Sequence, residues 1–269
     1  MFHSVCLSRR LRIAALAATT ALALAAGGCS QSRLKTGSLA SPASEAPAGQ
    51  QSAQNTEIAD KWAAAYKRDP ENPKTALGYA QALAATGRAR EAAQVYSEAL
   101  SHNPDNAELL AANGRRIARE TPGPQAIAML ERADKAGTRD WSAYSALGAS
   151  YDAIGRHKDA QDAYRKALAL KPEEPAVLSN MGLSQALAGD IKAAETTLER
   201  ASRNPSAEPT VRQNLALVYG LQGKFKEAEA ELAKDIGAQQ AQENVRYMRQ
   251  MLSQNNSWDK IRQSGGSRG

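Results

Sequence analysis

The chain has 269 residues, is rich in alanine and holds only two Phe and three Trp; this suits helices packed through small side chains and leaves too few aromatic and β-branched residues for a wide β-sandwich core. Its formal net charge is +6, half of it from Arg9, Arg10 and Arg12, and elsewhere acids and bases are interspersed. No Lys/Arg-rich run is interleaved with aromatics, so nucleic acid is not an expected partner.

Met1 to Arg12 carries those three arginines and no acid, and Ile13 to Ala26 is an unbroken run of Ala, Leu, Ile and Thr. A basic stretch before so short an apolar one is the layout of a bacterial secretory signal, and it falls short of the roughly 20 residues of a membrane-spanning helix. Ala25-Ala26-Gly27-Gly28-Cys29 resembles the lipobox of bacterial lipoproteins, in which the cysteine becomes residue one and carries the lipid. The expectation is a signal over 1–28, lipidation at Cys29 and attachment to a membrane through the acyl chains. Ala26 stands where Leu is most typical, so cleavage after Ala25, giving a soluble periplasmic protein, stays open. Residues 29–55 are rich in Ser, Ala, Gln, Gly and Pro without hydrophobic periodicity and read as a disordered tether. Neither Cys6 nor Cys29 lies in the region expected to fold, which excludes a disulfide framework and a Cys-based metal site.

From residue 56 a period appears. Tyr79-Ala80, Gly87, Ala92, Tyr96, Ala99 and Pro104 are matched, at one constant offset, by Leu147-Gly148, Gly155, Ala160, Tyr164, Ala167 and Pro172. That offset is twice 34, and the interval holds a degenerate copy with Asn113-Gly114, Ala126, Leu130 and Ala133. Two more copies follow in phase, with Met181-Gly182, Gly189, Ala194, Leu198 and Ala201, then Leu215-Ala216, Tyr219, Gly223, Ala228 and Leu232. Five units thus tile 73–106, 107–140, 141–174, 175–208 and 209–242. A half-unit precedes them at 56–72, carrying Ile58, Trp62, Ala65 and Pro70. These residues resemble the tetratricopeptide-repeat family, which implies an all-α fold: an α-solenoid, a right-handed superhelix of helix hairpins. Small residues at the eighth and twentieth positions would let backbones approach, larger ones would fill the holes, and glycine would take the turn. Unit 2 departs most, with Thr121-Pro122-Gly123-Pro124 at its turn, and is expected to be a locally irregular hairpin. Val245, Met248, Met251 and Leu252 place a capping helix over 239–254, ahead of a disordered tail at 255–269.

Nucleophilic, phosphate-binding and metal motifs are absent from the sequence, and the three histidines show no ligand spacing. The chain therefore reads as non-enzymatic, with no metal, no cofactor and no small-molecule substrate. The resemblance implies that the first helix of each unit lines a concave, partner-binding groove. Carried over by position, that groove includes Lys74, Leu77, Gln81, Arg115, Ser145, Asp152, Ser179, Leu183, Gln213 and Leu217, with Leu221 nearby. The family's two-carboxylate clamp needs Lys and Asn where Leu77 and Gln81 stand, so that class of partner is rejected. The C-terminal half is mildly apolar and suits an amphipathic helix or extended peptide, although its leucines would equally serve contacts between repeats.

The lipobox-like signal, the tether, the repeats and a tail reading Asn244-Val245-Arg246-Tyr247-Met248-Arg249-Gln250-Met251-Leu252-Ser253-Gln254, with Trp258 beyond, together resemble the TadD-type lipoproteins of tight-adherence (Flp) pili. That resemblance implies an assembly or pilotin-like factor on the periplasmic side of the outer membrane, acting on the pilus secretion apparatus or its secretin. Two alternatives stay open: a lipoprotein of another envelope machine, such as outer-membrane protein insertion, or a non-catalytic subunit of a cell-wall enzyme.

Overall fold

The computed structural model describes the backbone of residues 48–265 and the side chains of residues 53–253. These lie in one compact unit, Ala46–Gly269. The expected signal, Cys29 and the tether as far as residue 47 fall outside the described residues. Among the described residues there are twelve helices and no strand. They are α1 (Ala48–Arg68), α2 (Pro73–Ala85), α3 (Ala89–His102), α4 (Ala107–Glu120), α5 (Pro124–Lys135), α6 (Trp141–Ala153), α7 (His157–Leu170), α8 (Pro175–Leu187), α9 (Ile191–Ser202), α10 (Pro209–Leu221), α11 (Phe225–Ile236) and α12 (Ala238–Gly265). The fold is an all-helical solenoid in which each helix packs on its chain neighbour and the even-numbered helices lie side by side.

Local chemistry fixes where the helices begin. The first helices of the five units start at Pro73, Ala107, Trp141, Pro175 and Pro209, in step with the period of the sequence. Proline at the first helical position lacks only an N–H that would be unpaired there. Side chains cap others: Asn72 accepts from the Lys74 amide at 3.0 Å, Asn106 from Leu109 at 3.0 Å and Asp140 from Ser142 at 2.9 Å. Between the helices of units 1, 3, 4 and 5 the chain turns at Gly87, Gly155, Gly189 and Gly223, with φ from 76° to 90°, a left-handed conformation that glycine adopts without a Cβ penalty.

Small side chains set the depth of packing. Ala92, Ala126, Ala160, Ala194 and Ala228 occupy the twentieth position of successive units, and all are fully buried. Facing them, a Cβ added to Gly114, Gly148 or Gly182 would come within 2.5–2.7 Å of Leu130, Tyr164 or Leu198. The missing methyl is thus the space the larger side chain fills. Neighbouring units are also stitched by tyrosines: Tyr144 donates to Asp134 at 2.7 Å, Tyr151 to Glu131 at 2.5 Å and Tyr219 to Glu199 at 3.0 Å. Burial and the bond to Glu131 push the Tyr151 phenol up to about 12.

Unit 2 has the irregular hairpin. α4 runs to 14 residues where the other first helices have 13. α5 opens at Pro124 behind Gly123, whose φ of 154° and ψ of −155° replace the usual left-handed turn; that region is essentially confined to glycine.

Both ends of the array differ from the sequence reading. α1 begins at Ala48, inside the stretch assigned to the tether, and α12 continues to Gly265, well into the stretch assigned to the tail. No proline falls between 48 and 69, and neither glycine nor proline falls between 238 and 264, so nothing stops either helix. Polar composition alone was a poor guide there. Met251, expected on the packed stripe of the cap, is exposed, and Ala241 and Val245 are the buried side chains of that helix.

Ala160→Leu is expected to overpack the α6–α7 contact and cost about 1–3 kcal/mol, read from the midpoint of chemical unfolding. An unchanged midpoint would mean that Ala160 is not in the close contact described.

Candidate functional site

The even-numbered helices α2 to α10 form one face, which divides into three regions along the chain. At its N-terminal end Leu77, Gln81, Glu108 and Arg115 come together with residues 137–140 around a cavity of about 550 Å³. Arg115 Nε sits 3.0 Å from Asp140 Oδ2 but without the alignment of a hydrogen bond, so the pair is held by charge alone. One turn further along α4, Arg119 is exposed and forms no ion pair among the described residues. Arg116 is engaged by Glu120 and Asn113. Burial raises the Tyr96 phenol above its ordinary value while Arg115, Arg116 and Arg119 pull it down, which places all three guanidinium groups near one buried hydroxyl. Lys74 is exposed and lies outside the lining of this cavity.

The middle region carries a cluster that sequence reasoning missed. Asp152 accepts from Tyr164 at 3.0 Å and from Ser184 at 2.7 Å, and its Oδ1 lies 2.8 Å from His157 Nδ1. A serine, a histidine and an aspartate meet here, but in the wrong order for nucleophilic catalysis. In a working triad the histidine takes the proton of the serine. Here hydroxyl and imidazole converge on the carboxylate, and Ser184 is fully buried. Asp152 is therefore a structural bond between units 3 and 4. Burial first, then the Asp152 carboxylate, push the Tyr164 phenol far above its usual value. Ser179 lines a cavity between α8 and α10. It is buried, and its hydroxyl accepts from Asn214 at 2.9 Å, so it too joins adjacent units. Ser145 is half-buried on α6 and Gln213 exposed on α10.

The C-terminal region is apolar. Leu183 is half-buried, while Leu217 and Leu221 are exposed, more open than contacts between repeats would leave them. Three further side chains belong with them: Leu187, Tyr247 and Met251. The five exposed members range from 43% exposure at Leu217 to 65% at Leu187. Leu183 and Leu187 stand one turn apart on α8, and Leu217 and Leu221 repeat them one full period later on α10. Tyr247 and Met251 repeat them again on α12, but one helical turn early.

That shortened interval has an independent signature. Asp152 of α6 touches Ser184 of α8, 32 residues away. The equivalent contact from α10 joins Gly220 to Met248 of α12, and its span along the chain is one turn shorter. The cap has slipped by that turn because a single residue, Gly237, separates α11 from α12. A fixed period of 34 carries Leu217 onto Met251 but Leu221 onto Asn255, and so passes over Tyr247. Leu187 was readable as the residue one turn beyond Leu183.

Comparison with known proteins gives a consistent family. Models described as tetratricopeptide repeat match residues 57–115, 141–174, and 175–200 with 209–234. A human protein, Protein O-mannosyl-transferase TMTC1, is 34% identical over 117 residues, which is 44% of this chain and 13% of its own length. Among solved structures, PilW, described as a widely conserved type IV pilus biogenesis factor, superposes with a TM-score of 0.62 at 21% identity, over 73% of this chain and 91% of its own. YrrB, described as a TPR protein with an unusual peptide-binding site, gives 0.57 at 17% identity, over 69% and 99%. MamA gives 0.53 at 22% identity, over 61% and 95%. At these identities the structural likeness concerns the fold.

Asp152→Ala should leave the Tyr164 and Ser184 hydroxyls buried without their acceptor and cost about 1–3 kcal/mol in chemical unfolding. Leu217→Ser, on the exposed ladder, should stay within about 0.5 kcal/mol of the parent. Equal effects of the two would refute this division between a structural middle and an open C-terminal end.

Proposed function

We propose, on the premise that the chain belongs to the tetratricopeptide-repeat family, that it is a polypeptide-binding scaffold of the bacterial envelope that assists assembly of tight-adherence (Flp) pili. The observation that carries the binding role is the exposed apolar ladder on α8, α10 and α12. Large hydrophobic side chains left uncovered at matching positions of three neighbouring helices mark a place where another chain docks. No catalytic role is proposed, since the Ser184–His157–Asp152 cluster lacks an activated nucleophile.

The envelope location rests on the sequence alone: the basic start, the apolar run from Ile13 to Ala26 and the lone Cys29 after small residues. In this reading Cys29 carries the lipid and holds the scaffold on the periplasmic side of the outer membrane. The client is then a component of the pilus secretion apparatus, with the secretin as the leading candidate. The tail from Asn244 to Gln254 supports the pilus assignment through its likeness to TadD-type lipoproteins. A scaffold of the same fold already serves pilus biogenesis in PilW.

Deleting the gene should abolish pilus fibres and reduce secretin multimers. Intact pili with defective porin insertion would replace the pilus role by one in outer-membrane protein insertion, and altered wall hydrolysis would point to a cell-wall enzyme. Separately, Cys29→Ala should move the protein from the membrane fraction to the soluble periplasm; fractionation like the parent would end the lipoprotein reading.

A further inference from the structure

We infer that the apolar ladder seats one amphipathic helix, and that this helix is followed, at its unit-3 end, by an acidic segment reaching Arg119. The inference rests on the reading that the face of the first helices binds a polypeptide, and it names the chemistry of that polypeptide.

The dimensions select a helix. Of the eight large hydrophobic side chains exposed among the described residues, five are Leu187, Leu217, Leu221, Tyr247 and Met251, and half-buried Leu183 completes the third pair. Within each pair the residues are one turn apart, about 6 Å along their helix. Successive pairs sit on adjacent helices, roughly 8–10 Å apart for packed helices. The ladder is therefore two side chains wide with three rungs. An α-helix laid across it presents an apolar stripe of the same width, two side chains per heptad, and returns to the same face every heptad, about 10.5 Å. About five turns would cover the three rungs. A β-strand reverses its side-chain direction at each residue and rises about 3.3 Å, so it would point away at every second rung. A polyproline helix returns every third residue, about 9 Å, but offers a single file of side chains where the ladder has two.

Charge gives the rest. The two positions that hold leucines in units 4 and 5 hold Ala149 and Ala153 in unit 3, and Arg115 and Arg119 in unit 2. No charged residue occupies either column from Ala149 to Met251. Arg115 is neutralised by Asp140, and Arg119 has no ion-pair partner among the described residues. A chain leaving the apolar stripe toward unit 2 thus passes over small side chains and meets an uncompensated guanidinium. Carboxylates are the complementary group.

The test uses the full-length chain and three fluorescein-labelled synthetic peptides: one with leucines at the a and d positions of three heptads joined to a run of glutamates, one with lysines in place of the glutamates, and a scrambled version of the first. In anisotropy titrations the striped acidic peptide should bind about tenfold more tightly than either of the others. Leu217→Glu and Tyr247→Glu should each remove about that factor. Arg119→Glu should reverse the preference between acidic and basic peptides while keeping the preference for the stripe. Circular dichroism of each variant should match the parent, since all three positions are exposed. Equal binding of striped and scrambled peptides, or an unaffected Leu217→Glu variant, overturns the inference, and an unchanged charge preference in Arg119→Glu overturns its acidic half. Concentration-dependent dimerisation that Leu217→Glu abolishes would assign the ladder to a second copy and overturn it as well. The outcome separates from that of the pilus role: selective peptide binding with normal pili in the deletion strain sinks the role alone, and pilus loss without peptide selectivity sinks the inference alone.

Discussion

The closeness of the two helices in each hairpin governs everything else in this chain. At the twentieth position of all five units stands an alanine with no exposed surface, and the eighth position, which faces the twenty-fourth, is alanine or glycine. One unit so built has a hydrophobic side it cannot cover alone, and only the next unit can cover it. Stability is therefore shared along the stack: Tyr144, Tyr151 and Tyr219 each reach back to a carboxylate of the preceding unit, and Asp152 reaches forward to Ser184.

Because these contacts consume specific positions, they decide which side chains remain for a partner. Asp152 and Ser179 occupy positions that could face a ligand, yet both are held by the neighbouring unit. At other positions of the same face Leu217 and Leu221 are left exposed. The difference follows from what the next helix offers. Ser184 and Asn214 are polar groups placed to pair across the seam, and pairing takes a polar side chain out of the groove. Leucine finds no such partner there and stays exposed.

The repeat itself was legible because it depends on residues whose chemistry is local: glycine at a positive-φ turn, alanine at a close approach, proline at a helix start. Leu183, Leu217 and Leu221 were found by counting positions within that frame. What escaped was any feature that breaks the count or crosses it. Tyr247 sits on a helix displaced by one turn, and the displacement is set by the single-residue link at Gly237, whose length a periodic pattern does not encode. The Asp152 cluster joins residues 5, 12 and 32 positions away, and only folding brings the last two together. α1 and α12 run into the stretches read as tether and tail, where no proline falls between 48 and 69 and neither glycine nor proline between 238 and 264.

The one-turn slip of α12 also bears on why the stack ends where it does. A sixth first helix in phase would place its eighth position, Gln250, opposite a small residue of its own second helix. With the slip, Met248 instead lies over Gly220, and Ala241 and Val245 seal the apolar side of the last hairpin. The terminal helix thus needs no second helix behind it, and it completes the core while carrying the exposed ladder one rung further. Capping and binding place opposite demands on a helix, since one wants its outer side polar and the other wants it apolar. Here the two are met on different faces of α12: Ala241, Val245 and Met248 turn inward, and Tyr247 and Met251 turn toward solvent. A ligand covering them would bury a surface that the cap itself leaves open, so binding at this end would also reinforce the packing of α12 on the fifth hairpin.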